Sequence, residues 1–214
     1  MFPQIFAQEV LRGEVMVEME PVYGMYVDVK YPLEMDDAYH RALEAAAMFF
    51  SACIYGWTFD YDIGERARGI AEEFHLTPAA EIPWGDPSLY VTHADLRDNR
   101  LWVWADYRLN DSQIRRVRAW RSGRARSAQA VGLGPMGLPD QMSDWIQVKK
   151  LALEDAARAA VRSMLQGSER NRPKQARGYI ALQGFPVFWL DSGGWACSAR
   201  FYVDIIEIIP FAAH

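Results

Sequence analysis

The stretch from Gly178 to Ile209 constrains the fold more than any other part of this chain. Two long alternating arms, Gly178 to Leu190 and Trp195 to Ile209, flank Asp191-Ser192-Gly193-Gly194. Glycine and small polar residues supply the positive φ of a tight hairpin turn. Arg200, Tyr202, Asp204 and Ile206 alternate with Phe201, Val203, Ile205 and Glu207, the pattern of a strand with one wet face. A hairpin of that length commits the chain to antiparallel sheet.

Other strands follow by the same reading. Glu14 to Glu20 alternates cleanly, Met25 to Tyr31 forms a second strand, and Ile54 to Tyr61 carries an aromatic face. Ser88 to His93 and Arg100 to Leu109 make a hairpin across Asp95 to Asn99, with Trp102 and Trp104 on one face and Leu101, Val103 and Ala105 on the other. Helices are expected from about Asp36 to Ser51, with Ala38, Ala42, Ala45, Ala46 and Phe49 toward a sheet; over Glu65 to Phe74; from Gln113 to Arg121, started by Asn110-Asp111-Ser112; and from Glu154 to Leu165. The fold class is α+β, with antiparallel sheets and Ala-rich helices packed on one face.

A strand-helix unit reads as if written twice. Tyr26 to Tyr31 leads into Leu33-Glu34-Met35-Asp36-Asp37-Ala38, and Trp145 to Val148 leads into Leu151-Ala152-Leu153-Glu154-Asp155-Ala156. Both copies put an acidic pair at the helix start, where it suits the orphan N–H groups and the dipole. An internal duplication of a βαββ-like unit would divide the chain into an N-terminal extension (1–13), a first half (14–121), a linker rich in Gly, Ala, Arg and Pro (122–143) and a second half (144–214).

Half of the 214 residues are apolar, enough for a packed core. The net charge of −5 argues against a general nucleic-acid binder, which wants a basic domain. No apolar stretch reaches the roughly 18 to 20 residues that cross a bilayer. Met1 to Gln8 reads as the tail of a secretory signal, with Ala7 before a polar start; the alternative is an ordinary N-terminus that tucks Phe2, Ile5 and Phe6 against the fold. Export would make Cys53 and Cys197 a candidate disulfide, whereas a reducing compartment leaves two small buried hydrophobes.

Gly132-Leu133-Gly134-Pro135-Met136-Gly137 spells G-x-G-x-x-G, but an arginine-rich stretch precedes it and Leu138-Pro139 follows, so it reads as linker. Arg115, Arg116, Arg118 and Arg121 lie with Arg124 and Arg126 in a segment free of acidic residues between Asp111 and Asp140. They suit an anionic ligand, with Trp102 and Trp104 nearby for stacking; the competing reading is a solvated face balanced by Glu65, Glu72 and Glu73. Four histidines offer no metal spacing, no cofactor motif stands out, and His93 with Asp95 is the one pair to inspect. A catalytic reading would add Asp60 and Asp62, in a cleft between the halves.

The run Glu154-Asp155-Ala156-Ala157-Arg158-Ala159-Ala160 after a strand and before a long hairpin resembles small bacterial envelope modules of the LPP20-lipoprotein and FlgT N-terminal type. That resemblance implies an Ala-rich helix on a curled antiparallel sheet, export, and no catalysis. The expected function is therefore a non-catalytic periplasmic binding or assembly protein with protein partners in the envelope. The alternative is a cytosolic protein that binds an anionic ligand or nucleic acid through Arg115 to Arg126.

Overall fold

The computed structural model describes residues 9–20, 31–64, 69–135, 145–168 and 173–210. In chain order these form β1 (Val10–Glu18), α1 (Met35–Ile54), β2 (Trp57–Asp62), β3 (Glu73–Pro78), β4 (Leu89–Arg97), β5 (Arg100–Arg108), α2 (Asp111–Arg121), β6 (Arg126–Leu133), α3 (Trp145–Ser168), β7 (Pro173–Leu182), β8 (Val187–Asp191) and β9 (Gly194–Pro210). The fold is α+β and every strand pairing is antiparallel. A three-stranded sheet has the order β1-β5-β4, and a six-stranded sheet runs β3-β2-β7-β9-β6 with β8 added on β9.

β9 organises the larger sheet. Its first half pairs with β8 and its second with β7, while β6 takes residues 196–203 on the opposite edge, so β7 and β8 share one edge in succession. The long hairpin read from the sequence is present, with its first arm broken at Gln183 to Pro186. Both short hairpins close with two residues at positive φ: Asp98 (50°) and Asn99 (56°), then Ser192 (50°) and Gly193 (83°). Those are the angles that match the right-handed twist of paired strands.

Helix α1 lies between the sheets, against β1 and β5 on one side and β7 on the other. Its expected face is the observed one: Ala38, Ala42, Ala45, Ala46 and Phe49 are all buried. On β5, Leu101, Val103 and Ala105 are buried as the alternation requires. α2 begins at a full capping box, with Asn110 accepting from Gln113 N (3.0 Å) and Gln113 accepting from Asn110 N (2.9 Å).

α3 covers β6 and β9, and glycine decides how closely. A Cβ on Gly132 would lie 2.0 Å from the backbone nitrogen of Ala156. Ala152, Ala156 and Ala160, all fully buried, present the matching small stripe. The G-x-G that imitated a nucleotide fingerprint thus serves helix-on-sheet contact.

Several expectations are corrected. Trp145 to Val148 is the first turn of α3, so the second copy of the supposed repeat lacks its strand; the first copy's strand falls mostly on residues 21–30, outside the described residues, and no duplication emerges. Four residues of alternating apolar and polar type fit a helix turn as well as a strand, and α3 simply starts earlier than its acidic pair suggested. Glu73 and Phe74, expected to end a helix, open β3. Residues 126–133, assigned to a linker, form β6. β2 from the expected first half pairs with β7 from the second, so one sheet crosses the supposed boundary. Met1 to Gln8 lies outside the described residues. No described helix is long and apolar enough to cross a membrane.

Candidate functional site

Helical spacing on α1 and α3 builds the walls of a groove. Glu44, Ala47, Met48, Ser51 and Ala52 form one stripe, and Ile146, Lys150, Leu153 and Glu154 form the facing one. Trp57, Leu76 and Pro78 from β2 and β3 close one end, and the segment from Ala80 to Trp84 closes the side. The cavity so enclosed measures about 280 Å³. Ser51 straps that last segment down: its hydroxyl donates to Ala47 O (2.6 Å) and accepts from Ile82 N (2.8 Å). Trp84 rests on His40, ring centroids 4.1 Å apart, yet stays 58% exposed at the rim.

The lining mixes apolar and charged side chains. Glu44, Glu81 and Glu154 stand against one ammonium, Lys150. Glu44 accepts from the Trp145 indole N–H at 3.3 Å. Glu154 is exposed as a residue, yet neighbouring atoms of the groove take enough hydration from its carboxyl to raise it from its ordinary value, against the pull of Lys150 and His75. A concave apolar site with a few convergent polar groups and one perturbed carboxyl has the form of a small-molecule site.

Lys149, the neighbour of Lys150, faces the interior instead. Its side chain is 4% exposed, and Nζ donates to Met16 O (3.2 Å) and Glu18 Oε2 (3.4 Å). The rings of Trp195, Trp145 and Phe188 surround it at 4.6, 5.3 and 5.8 Å. Glu18 Oε1 and Trp195 Nε1 are buried without a hydrogen-bond partner. This buried box joins β1 to α3, and Lys149 also lines a smaller cavity of about 170 Å³ with Met16 and Phe188.

The residues singled out in the sequence do not converge on one place. Register sets His93 opposite Trp104 and Asp95 opposite Trp102, so all four share the outer face of the small sheet. There Asp95 pairs with Arg97 at 3.0 Å, and the Arg97 guanidinium lies 5.2 Å from the Trp102 ring. Asp95 therefore serves an arginine. Asp60 lies on the other sheet, where it accepts from Gln175 (2.7 Å) and Arg177 (3.0 Å), so the catalytic constellation is not assembled.

Arg115, Arg116, Arg118 and Arg121 are exposed on α2. Arg116 lies over the Tyr55 ring at 5.6 Å, Arg118 reaches Glu9 at 3.5 Å, and Arg124 pairs with Asp204 at 3.0 Å. Glu72, expected to balance this face, is held elsewhere by Tyr61 and Arg162. Cys53 and Cys197 are free thiols rather than a disulfide, and burial pushes the Cys197 thiol up to about 12, which leaves it unreactive. Among the described residues no cluster of His, Cys, Asp and Glu could hold a metal ion.

Sequence reasoning passed over the groove. Its helix stripes were visible as amphipathic faces, but the wall from Ala80 to Trp84 looked like an ordinary Pro-rich loop. Glu154 and Asp155 were read together as a helix start; in fact Asp155 accepts from Leu133 N at 2.8 Å and Glu154 faces the groove.

A protein-family model matches residues 4–211, nearly the entire chain. The chain belongs to that family. It is an uncharacterised family, and the match assigns no site. An uncharacterised protein of Treponema pallidum (strain Nichols) is 24% identical over 171 residues, covering 80% of this chain and 69% of that protein. No solved structure matches.

Proposed function

We propose that this is a non-catalytic binding protein that seats a small, apolar-bodied ligand in the groove between α1 and α3. The observation that carries the reading is the groove itself: about 280 Å³ lined by Ala47, Met48, Leu76, Ile146 and Leu153 together with four charged side chains. Its volume is at the small end for organic ligands, which suits a body of several carbons. Ser51, the hydroxyl in the wall, is committed on both sides to the backbone, so it acts as a strap and not as a nucleophile.

Methyl chemical shifts test this directly. Titration with hexanol or indole should move the methyl signals of Met48, Leu76, Ile146 and Leu153 together. Val131 and Val187, exposed on the larger sheet away from the groove lining, should stay put. Shifts centred outside the groove residues would sink the reading.

A further inference from the structure

We propose that the groove's ligand is an organic cation, a small amine or quaternary ammonium group carried on an apolar body. This rests on the groove reading above and adds the chemistry of the head group.

Three carboxylates, Glu44, Glu81 and Glu154, line the groove with one ammonium, Lys150; Glu81 and Glu154 are exposed at its mouth and Glu44 is half-buried. The groove thus keeps an excess of negative charge after its own cation is counted. An anionic ligand would meet that excess as like-charge repulsion. A cation entering there gains what the site lacks. Glu44 already accepts the Trp145 N–H at 3.3 Å, which fixes its carboxylate beside the groove. Glu154 lines the same groove, with Lys150 and His75 as the cations that act on it.

The aromatic side chains point the same way. Trp57 and Trp84 both line the groove, and Trp84 packs at a tilt against the His40 ring. Indole faces attract ammonium groups, quaternary ones especially, because such groups are weakly hydrated and make no directional hydrogen bond. Carboxylates and two indoles lining one groove with Ala47, Met48, Leu76 and Leu153 complement one kind of molecule: a positive head on a short hydrocarbon body.

Three probes of equal chain length separate the possibilities: hexyltrimethylammonium, hexanol and hexanoate, each followed at the Met48 methyl. The cation should bind roughly tenfold more tightly than hexanol, and hexanoate more weakly than either. The double substitution Glu81→Gln/Glu154→Gln should erase the preference while hexanol still binds, which also shows that the variant remains folded. Equal affinity for hexanol and the cation overturns the head-group inference and leaves the groove reading standing. Preference for hexanoate overturns it as well. If no probe moves the groove methyls, both readings fall.

Discussion

Lys149 and Lys150 are adjacent on α3, roughly 100° apart around the helix axis, and they meet opposite electrostatic problems. Lys149 is sealed in a box of three rings with one carboxylate, Glu18, and a backbone carbonyl. Lys150 lines an open groove in which three carboxylates outnumber it. In the box, charge is balanced and both side chains are buried, so the pair is a structural joint between residues 131 apart in sequence. In the groove, charge is unbalanced and solvent can enter, which leaves room for a ligand. A buried ion pair is therefore a poor marker of function here, and an incompletely matched one at a cavity is the better guide.

The same chemical edit should have opposite signs at the two sites. Glu18→Gln strips the carboxylate from a buried ammonium and should cost about 3 to 5 kcal/mol, read from urea unfolding. Lys149→Ala should cost a similar amount, because it strands Glu18. The double variant Lys149→Met/Glu18→Leu should recover most of that loss, since an apolar pair of similar bulk needs no compensation. Single variants within about 0.5 kcal/mol of the parent would show that water reaches the box, and the contrast with Lys150 would collapse.

Gly132→Ala tests whether both sites depend on the seating of α3. The added methyl cannot fit 2.0 Å from the Ala156 nitrogen, so the helix must lift from β6. A loss of roughly 1 to 3 kcal/mol or more is expected, accompanied by shifts at Met48 in the groove and Trp195 in the box. Destabilisation without those shifts would mean that the strain is absorbed within β6.

That glycine also marks where sequence reading stops. Local chemistry was legible: the Asp191 to Gly194 turn, the Asn110 cap and the alanine face of α1 each act within a few positions of themselves, while the connection read across Asp95 to Asn99 narrows to Asp98-Asn99, with Asp95 to Arg97 in β4. Gly132 was visible but misassigned, because its reason lies 24 residues away on α3. The β2–β7 pairing and the Glu18–Lys149 joint have no local signature at all. The groove fails for the same reason: it exists only where two separate helix stripes and the strapped Ala80 to Trp84 segment converge. The four residues His93, Asp95, Trp102 and Trp104 were brought together as hairpin register dictates, yet the arginine that engages Asp95 and Trp102, Arg97, was not among them.

The smallest expected effect is Glu154→Gln, and its sign is the sharper half of the comparison. Folding takes hydration from the Glu154 carboxylate, so the folded chain holds the proton more tightly than the unfolded chain, whose carboxyl titrates near 4.5. Stability from this group is then full below that value and is lost as pH rises through the folded-state value. Glutamine imitates the protonated form at every pH. The variant should therefore gain on the parent from acid toward neutral pH and level off once Glu154 is ionised in the parent. Lys150 and His75 oppose the raised value, while Glu44 and Glu81 lie along the same groove, so Lys150→Ala should widen the parent's pH-dependent loss. Binding of hexyltrimethylammonium should run the other way, strengthening in the parent as Glu154 ionises and remaining flatter in Glu154→Gln. A variant that instead loses stability relative to the parent as pH rises would show that Glu154 is already paired, and the groove would then be as balanced as the box.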